Sequence, residues 1–158
     1  MGVMRRIVTG LVLMLAILAE AGAGRAQSQP PSKAVEEFAE SVGSVIFAAG
    51  QGVILARVCG GDEKVGQAMR NLAVERVRQC AEADPRLKEL VEHTEQVFDT
   101  MLKNADAAIQ RRGKEMICAL YRSPDLQVEV ATALEMAKQL ATDTGQQRIS
   151  RMPCPAKD

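Results

Sequence analysis

Tryptophan is missing from this chain, and aromatic residues of any kind are scarce, with three phenylalanines and one tyrosine in 158 residues. A surface that stacks bases or sugar rings needs more flat side chains than Phe38, Phe47, Phe98 and Tyr121 supply. Histidine is reduced to one residue, His93. A helical di-iron bundle takes a Glu-x-x-His pair from each of two helices, so that class is excluded in its usual form. No Cys-x-x-Cys and no Cys-x-x-Cys-His occurs, which removes the zinc, iron–sulfur and c-type haem signatures. Net charge is missing too, since Lys plus Arg and Asp plus Glu both come to 20. No footprint for nucleic acid or anionic lipid is therefore expected. Gly60-Gly61-Asp62 lacks the surrounding Gly-x-Gly-x-x-Gly or Walker pattern, so it is read as a turn and not as a phosphate loop. No period-two alternation marks a strand, and no internal repeat is present.

What the chain does have begins with a leader. Met1 to Arg6 is short and basic, Ile7 to Leu18 is almost wholly apolar, and Ala19 to Ala26 is rich in small residues. That order is expected of a Sec-type secretory signal peptide over residues 1–26, cleaved after Ala26 or Ala23. The apolar run is too short to span a bilayer comfortably. Arg5-Arg6 alone does not make a twin-arginine signal. Cleavage after Ala26 leaves 132 of the 158 residues and removes Arg5, Arg6, Arg25 and Glu20, so the net charge falls from zero to near −2. One domain with a modest core is the expectation for that length.

Four cysteines follow the leader: Cys59, Cys80, Cys118 and Cys154. An even number in an exported chain is expected to form two disulfides. The helix lengths suggest the pairing. Cys59 sits before the helix starting near Glu63, and Cys80 lies near its far end. Those 17 helical residues span roughly 26 Å, against at most about 7 Å between the Cα atoms of a disulfide. Cys59 with Cys80 is thereby excluded, and Cys118 with Cys154 with it. The next long helix returns the chain towards Cys59, leaving Cys118 to pair there and Cys80 with Cys154 by elimination.

The remaining composition, rich in Ala, Leu, Val, Glu, Gln and Arg, favours helix. Residues 27–31 read as a mobile lead-in. Ser32 is positioned to cap a first helix whose stripe is Val35, Phe38, Val42, Val45, Ile46, Ala49, Val53 and Ile54. Val42 to Ala56 is apolar nearly all round, which predicts a buried core helix. Gly50 and Gly52 suggest a bend in it. Asp62 caps a second helix from Glu63 to about Ala83. Asp84-Pro85 opens a third, running to Arg112, with Leu87, Leu90, Val91, Thr94, Val97, Phe98, Met101, Leu102, Ala105 and Ile109 at helical spacing. This long amphipathic rod is expected to be the spine on which the other helices lie. Gly113 ends it, and a short helix carries Met116 to Tyr121. Ser123-Pro124-Asp125 is expected to open a last helix that runs to about Thr142 and buries Leu126, Val130, Ala133, Leu134, Ala137 and Leu140. Gly145 is expected to close the ordered domain, 32–145. Residues 146–158 would then be a polar tail tethered through Cys154. The fold class is all-α, a small disulfide-braced bundle of four to five mostly antiparallel helices.

Candidate chemistry is thin. His93 has Glu89 one turn before it, a carboxylate able to orient an imidazole, yet no nucleophile is tied to it. A surface histidine paired with Glu89 is the expectation. Met69, Met101, Met116, Met136 and Met152 are spread along apolar stripes as core filler, not gathered as a copper site. Arg111, Arg112 and Lys114 gather at the Gly113 turn with Arg122 beyond, where cations at a helix end need no further cause. The stretch from Leu55 to Glu63, with Cys59-Gly60-Gly61, the long helix and Cys118, resembles short exported bacterial helical proteins. That resemblance brings no activity with it.

The sequence therefore predicts no catalytic residue, no cofactor and no metal. It points to an exported, periplasmic or secreted, non-enzymatic module that binds another protein, with no stable membrane insertion once the leader is removed. The alternative is a small-molecule or lipid carrier with an apolar cavity between the first and last helices.

Overall fold

A segment that is apolar nearly all round has to be covered, and residues 48–58 of the helix Lys33–Cys59 are all buried or half-buried. A computed structural model describes residues 32–156, so the leader and lead-in expected over 1–31 lie outside the described residues. The described residues form six α-helices: α1 (Lys33–Cys59), α2 (Glu63–Ala83), α3 (Lys88–Arg112), α4 (Lys114–Tyr121), α5 (Val128–Leu140) and α6 (Asp143–Ser150). A 3₁₀ turn, Pro85–Leu87, joins α2 to α3. No strand occurs among the described residues. The protein is an all-α bundle.

The organising helix is α1 and not the rod at 84–112. It packs against α2, α3, α4 and α5 together. Val42 and Ile46 are 1 % exposed and Val53 is fully covered. Each such side chain contributes about 1.5–3 kcal/mol of apolar burial. In α3 only Thr94 and Phe98 are buried, and Val97, expected on the inner stripe, is 39 % exposed. Both helices are long and periodic. Periodicity gives a face, but the width of that face decides who stands in the middle. A one-sided stripe belongs on the periphery.

The chain runs through Gly50 and Gly52 as continuous helix. Gly50 is buried because the Met101 thioether of α3 fills the space a Cβ would take. Gly66, on α2, lets that helix approach α1 so closely that an added Cβ would lie 2.7 Å from the Ala49 carbonyl oxygen. These contacts fix directions. The start of α2 lies against the second half of α1, so the two are antiparallel. Met101 and Asp106 of α3 follow Gly50 and Arg57 of α1 in the same order, so those helices run the same way.

The ends follow local chemistry, with some differences from expectation. Asp62 accepts from Lys64 N at 2.9 Å and caps α2. Asp84 caps the Pro85–Leu87 turn through Arg86 N at 3.0 Å, so α3 itself starts at Lys88. Ser32 occupies the cap position of α1, yet its hydroxyl makes no cap bond; its carbonyl receives Val35 N and Glu36 N. Gly60 and Gly113 both have φ +83°. Their ψ values of 128° and 149° place them in extended positive-φ backbone and not in the left-handed helical basin. Ser123-Pro124-Asp125 forms a turn closed by Asp125 N on Ser123 Oγ, and α5 begins only at Val128.

The expected boundary at Gly145 is crossed by a helix. Thr142 Oγ1 accepts from Gly145 N at 3.1 Å, the cap of α6. Gly145 is in the first turn because a side chain there would meet the backbone of Leu140, 2.8 Å from its carbonyl carbon. Ile149 of α6 is 1 % exposed and joins the core. The ordered domain thus extends through 146–156, where Met152 O accepts from Arg76 Nε at 2.6 Å.

Two disulfides close the bundle along the pairing that helix length dictates. Cys59 bonds Cys118 with Cα atoms 5.1 Å apart, and Cys80 bonds Cys154 at 5.4 Å. The loops span 59 and 74 residues. Chain entropy alone assigns about 4 kcal/mol to each.

Candidate functional site

Of the polar side chains at the core, Asp84 caps the turn before α3, Thr94 Oγ1 donates to Leu90 O within α3, and Gln51 and half-buried Arg57 lie in the C-terminal half of α1. Arg57 sits in the last turn of α1, where a cation faces the carbonyl end of the dipole. Its Nη2 meets Glu63 Oε2 of α2 at 2.8 Å and its Nη1 meets Asp106 Oδ1 of α3. The guanidinium beside Glu63 holds that carboxyl below its ordinary range, chiefly by the direct hydrogen bond. In return Glu63, and less strongly Asp106, hold the Arg57 proton more firmly than usual. One guanidinium thus joins three helices beside the Cys59–Cys118 bridge.

Two turns earlier Gln51 is buried on α1. Its Oε1 accepts the Tyr121 hydroxyl of α4, and its Nε2 lies 3.8 Å from Met101 Sδ of α3. Burial pushes the Tyr121 phenol up to about 12. Neither node leaves a reactive group free. Each amide or charge is occupied in holding helices together.

On the α2–α3 face, Glu95 meets Arg78 at 2.9 Å and Arg70 at 3.6 Å, while the Arg70 guanidinium lies 5.8 Å from the Phe98 ring centre. A depression of about 500 Å³ lies beside Arg70, Asn71, Glu75, Arg78 and Gln146. A second, about 470 Å³, lies beside Arg57, Asp99, Lys103, Asp106 and Gln110. Both are open to solvent and mixed in lining, with Leu72 and Val74 among the charged and amide side chains of the first and Leu102 and Ala107 among those of the second.

The residues weighed from sequence are scattered. His93 is exposed on α3, and the pairing with Glu89 is not formed, since the two share no ion pair or hydrogen bond. Among the described residues no three His, Cys, Asp or Glu side chains stand close enough to hold a metal ion. Met69 is fully buried, and Met101, Met136 and Met152 pack partly buried, but Met116 is 57 % exposed and is not core filler.

Met116 belongs to a feature sequence reasoning missed. The buried side of α4 is Ile117, Cys118 and Tyr121, turned to α1. Its outer side carries Met116, Ala119 and Leu120, all exposed, with Leu120 at 47 %. The signal was available, since 116 and 120 share a helical face opposite 117, 118 and 121. Arg111, Arg112 and Lys114 stand at the start of this face and Arg122 at its end, all exposed and none in an ion pair among the described residues. Arg111 Nε donates only to its own helix, to Ala107 O.

The stripe of α1 that faces α4 includes Gln51, Ile54 and Val58. Traced towards the N-terminus at the same spacing it continues as Phe47, Gly43, Glu40 and Glu36, where α4 no longer covers it. All four are exposed, Phe47 by 37 %. The outer face of α4 and the bare half of this stripe follow one another along α1, since Tyr121 at the end of α4 meets Gln51 one turn beyond Phe47. Comparison of the chain with protein-family models, with curated proteins and with solved structures found no match.

Proposed function

We propose that the protein is an exported, non-enzymatic binding module that engages another protein through the N-terminal half of α1 and the outer face of α4. The observation that carries this reading is the exposure of Phe47 on α1 and of Leu120 and Met116 on α4, set on a framework that two disulfides and the Arg57 and Gln51 nodes brace. Exposed apolar side chains on a rigid framework, rimmed by charge, are what protein interfaces use. A preordered face also binds with less entropic loss than a mobile one.

Export is supported by the basic, apolar and small-residue order of residues 1–26 and by two disulfides, which persist in oxidising compartments. The protein-binding reading is preferred to a lipid or small-molecule carrier because the depressions beside Arg70 and Arg57 are open to solvent and carry charged side chains, whereas a carrier pocket encloses most of its ligand. His93 has no role in this reading.

The test is affinity capture from periplasmic extract, with the Leu120→Glu variant as a matched control. A protein enriched by the wild type and lost with Leu120→Glu supports the reading. Equal capture by both would place binding elsewhere. Ligand-dependent thermal stabilisation by lipid alone would favour the carrier.

A further inference from the structure

We propose that the outer face of α4 receives a short acidic segment of another protein, in which Asp or Glu side chains flank apolar ones. The proposal rests on the protein-binding reading and names the chemistry of the partner. It comes from the charge around α4. Between Asp106, which Arg57 holds, and Val128, where α5 begins, stand the cations Arg111, Arg112, Lys114 and Arg122 and the carboxylates Glu115 and Asp125. Their net is +2 in a chain that is neutral as a whole, so the other residues sum to −2. All of these side chains are exposed, and none makes an ion pair among the described residues. Helix dipoles account for part of the excess. Arg111 and Arg112 close α3 and Arg122 follows the end of α4, where cations are favoured. Lys114 opens α4, where a cation is disfavoured. The Glu63 carboxyl feels it only weakly, being taken by Arg57.

The apolar side chains lie between cations. α4 has eight residues, a length of about 12 Å, with Lys114 as its first and Arg122 just past its last. Met116 and Leu120, one turn apart on the outer side, are 57 % and 47 % exposed. Met116 is two residues from Lys114, and Leu120 two from Arg122. An extended segment with carboxylates four residues apart spans about the same 12 Å. It sets one carboxylate near each end of α4 and apolar side chains on Met116 and Leu120. A small anion would use the cations and leave those two in water. A bilayer covers a broad face, and the exposed side of α1 beyond α4 carries Glu36, Glu37 and Glu40 against Lys33. A narrow acidic strip meets the cations without meeting those glutamates.

The disulfide-bonded protein is titrated into a fluorescein-labelled peptide of two aspartates, three leucines and two aspartates, read by anisotropy. Its counterparts carry lysines for the aspartates or serines for the leucines. The acidic leucine peptide is expected to bind at least about tenfold more tightly than either counterpart, and less tightly in high salt. Lys114→Glu with Arg122→Glu should weaken it by about tenfold and turn the preference to the lysine peptide. Leu120→Ser should weaken it by a similar factor. Helical circular dichroism and the thermal midpoint should stay as in the wild type. No saturable binding up to about 1 mM overturns the proposal, as does equal binding of the lysine peptide or indifference to these changes. Vesicles of phosphatidylglycerol and phosphatidylcholine that retain the wild type and not the doubly reversed variant, with the peptide unbound, overturn it in favour of a membrane surface. A protein captured through Leu120 and held equally well after Lys114→Glu with Arg122→Glu overturns the acidic segment and leaves the protein-binding reading standing.

Discussion

Tyr121 donates its hydroxyl proton to Oε1 of Gln51, joining the short α4 to the middle of the helix on which the bundle is built. Gln51 is a buried amide on an otherwise apolar stretch, so its oxygen has few other partners within the protein. Tyr121→Phe keeps the ring and removes the hydroxyl, leaving that oxygen unpaired. The expected cost is about 1–3 kcal/mol in urea unfolding. Gln51→Leu with Tyr121→Phe removes both partners and should cost less than the two single changes added together. A coupling of about 1 kcal/mol in that cycle is the expected result. Strict additivity would mean that the bond holds nothing.

Tyr121 is also the only tyrosine, and tryptophan is absent, so phenolate absorbance near 295 nm reports on this one group. Burial raises its pKa in the fold to about 12, against about 10 in an unfolded chain. The folded state therefore favours the protonated phenol. Its contribution to stability is complete below about pH 10 and is lost as the pH rises through about 12. Spectrophotometric titration of the native protein should show a late midpoint, and the same titration in denaturant an ordinary one. Coincident midpoints would show that the hydroxyl is in water.

Much of the architecture was legible in the residues, and the misses have physical causes. Val42 to Ala56 announced its burial by being apolar all round, and the span of α2 limited the cysteine pairing. The rod at 84–112 looks central in sequence because length and periodicity do not say how many sides of a helix are covered. Gly145 resembles a stop because glycine often follows a helix, although Thr142 three residues before it is an equally good cap. Ser123-Pro124 resembles a helix start and makes only a turn. The candidate surface was legible in part. Met116 and Leu120 share a face from spacing alone, but the bare half of the α1 stripe depends on how short α4 is and where it lies.

Cys80 is fully buried on α2 and Cys154 lies on the exposed C-terminal segment, so their bond fastens the end of the chain across the core. Replacing both by alanine should lower stability by up to about 4 kcal/mol. The loss should be uneven. Native-state hydrogen exchange is expected to speed up in α6, around Ile149, and much less inside α1. With Cys59→Ala and Cys118→Ala the fastest exchange should move to α4 instead. Uniform acceleration in both double variants would mean that each bond acts only on the unfolded chain.

Two glycines on helices should respond to alanine in opposite ways. Alanine is the better helix former by about 1 kcal/mol wherever nothing else intervenes. Gly43 is exposed in the first half of α1, and an added Cβ there meets no atom within 4 Å. Gly43→Ala should therefore stabilise by about 0.5–1 kcal/mol. Gly66 has the same propensity term, but its Cβ would lie 2.7 Å from the Ala49 carbonyl and would press on Val53. Backbone on one side and a core side chain on the other leave little room to yield. Overpacking of about 1–3 kcal/mol then outweighs the propensity gain, and because α1 and α2 are forced apart the net effect should be a lower urea midpoint for Gly66→Ala. Measured side by side, the two variants separate helix propensity from helix packing. A stabilised Gly66→Ala would show that α2 does not approach α1 this closely.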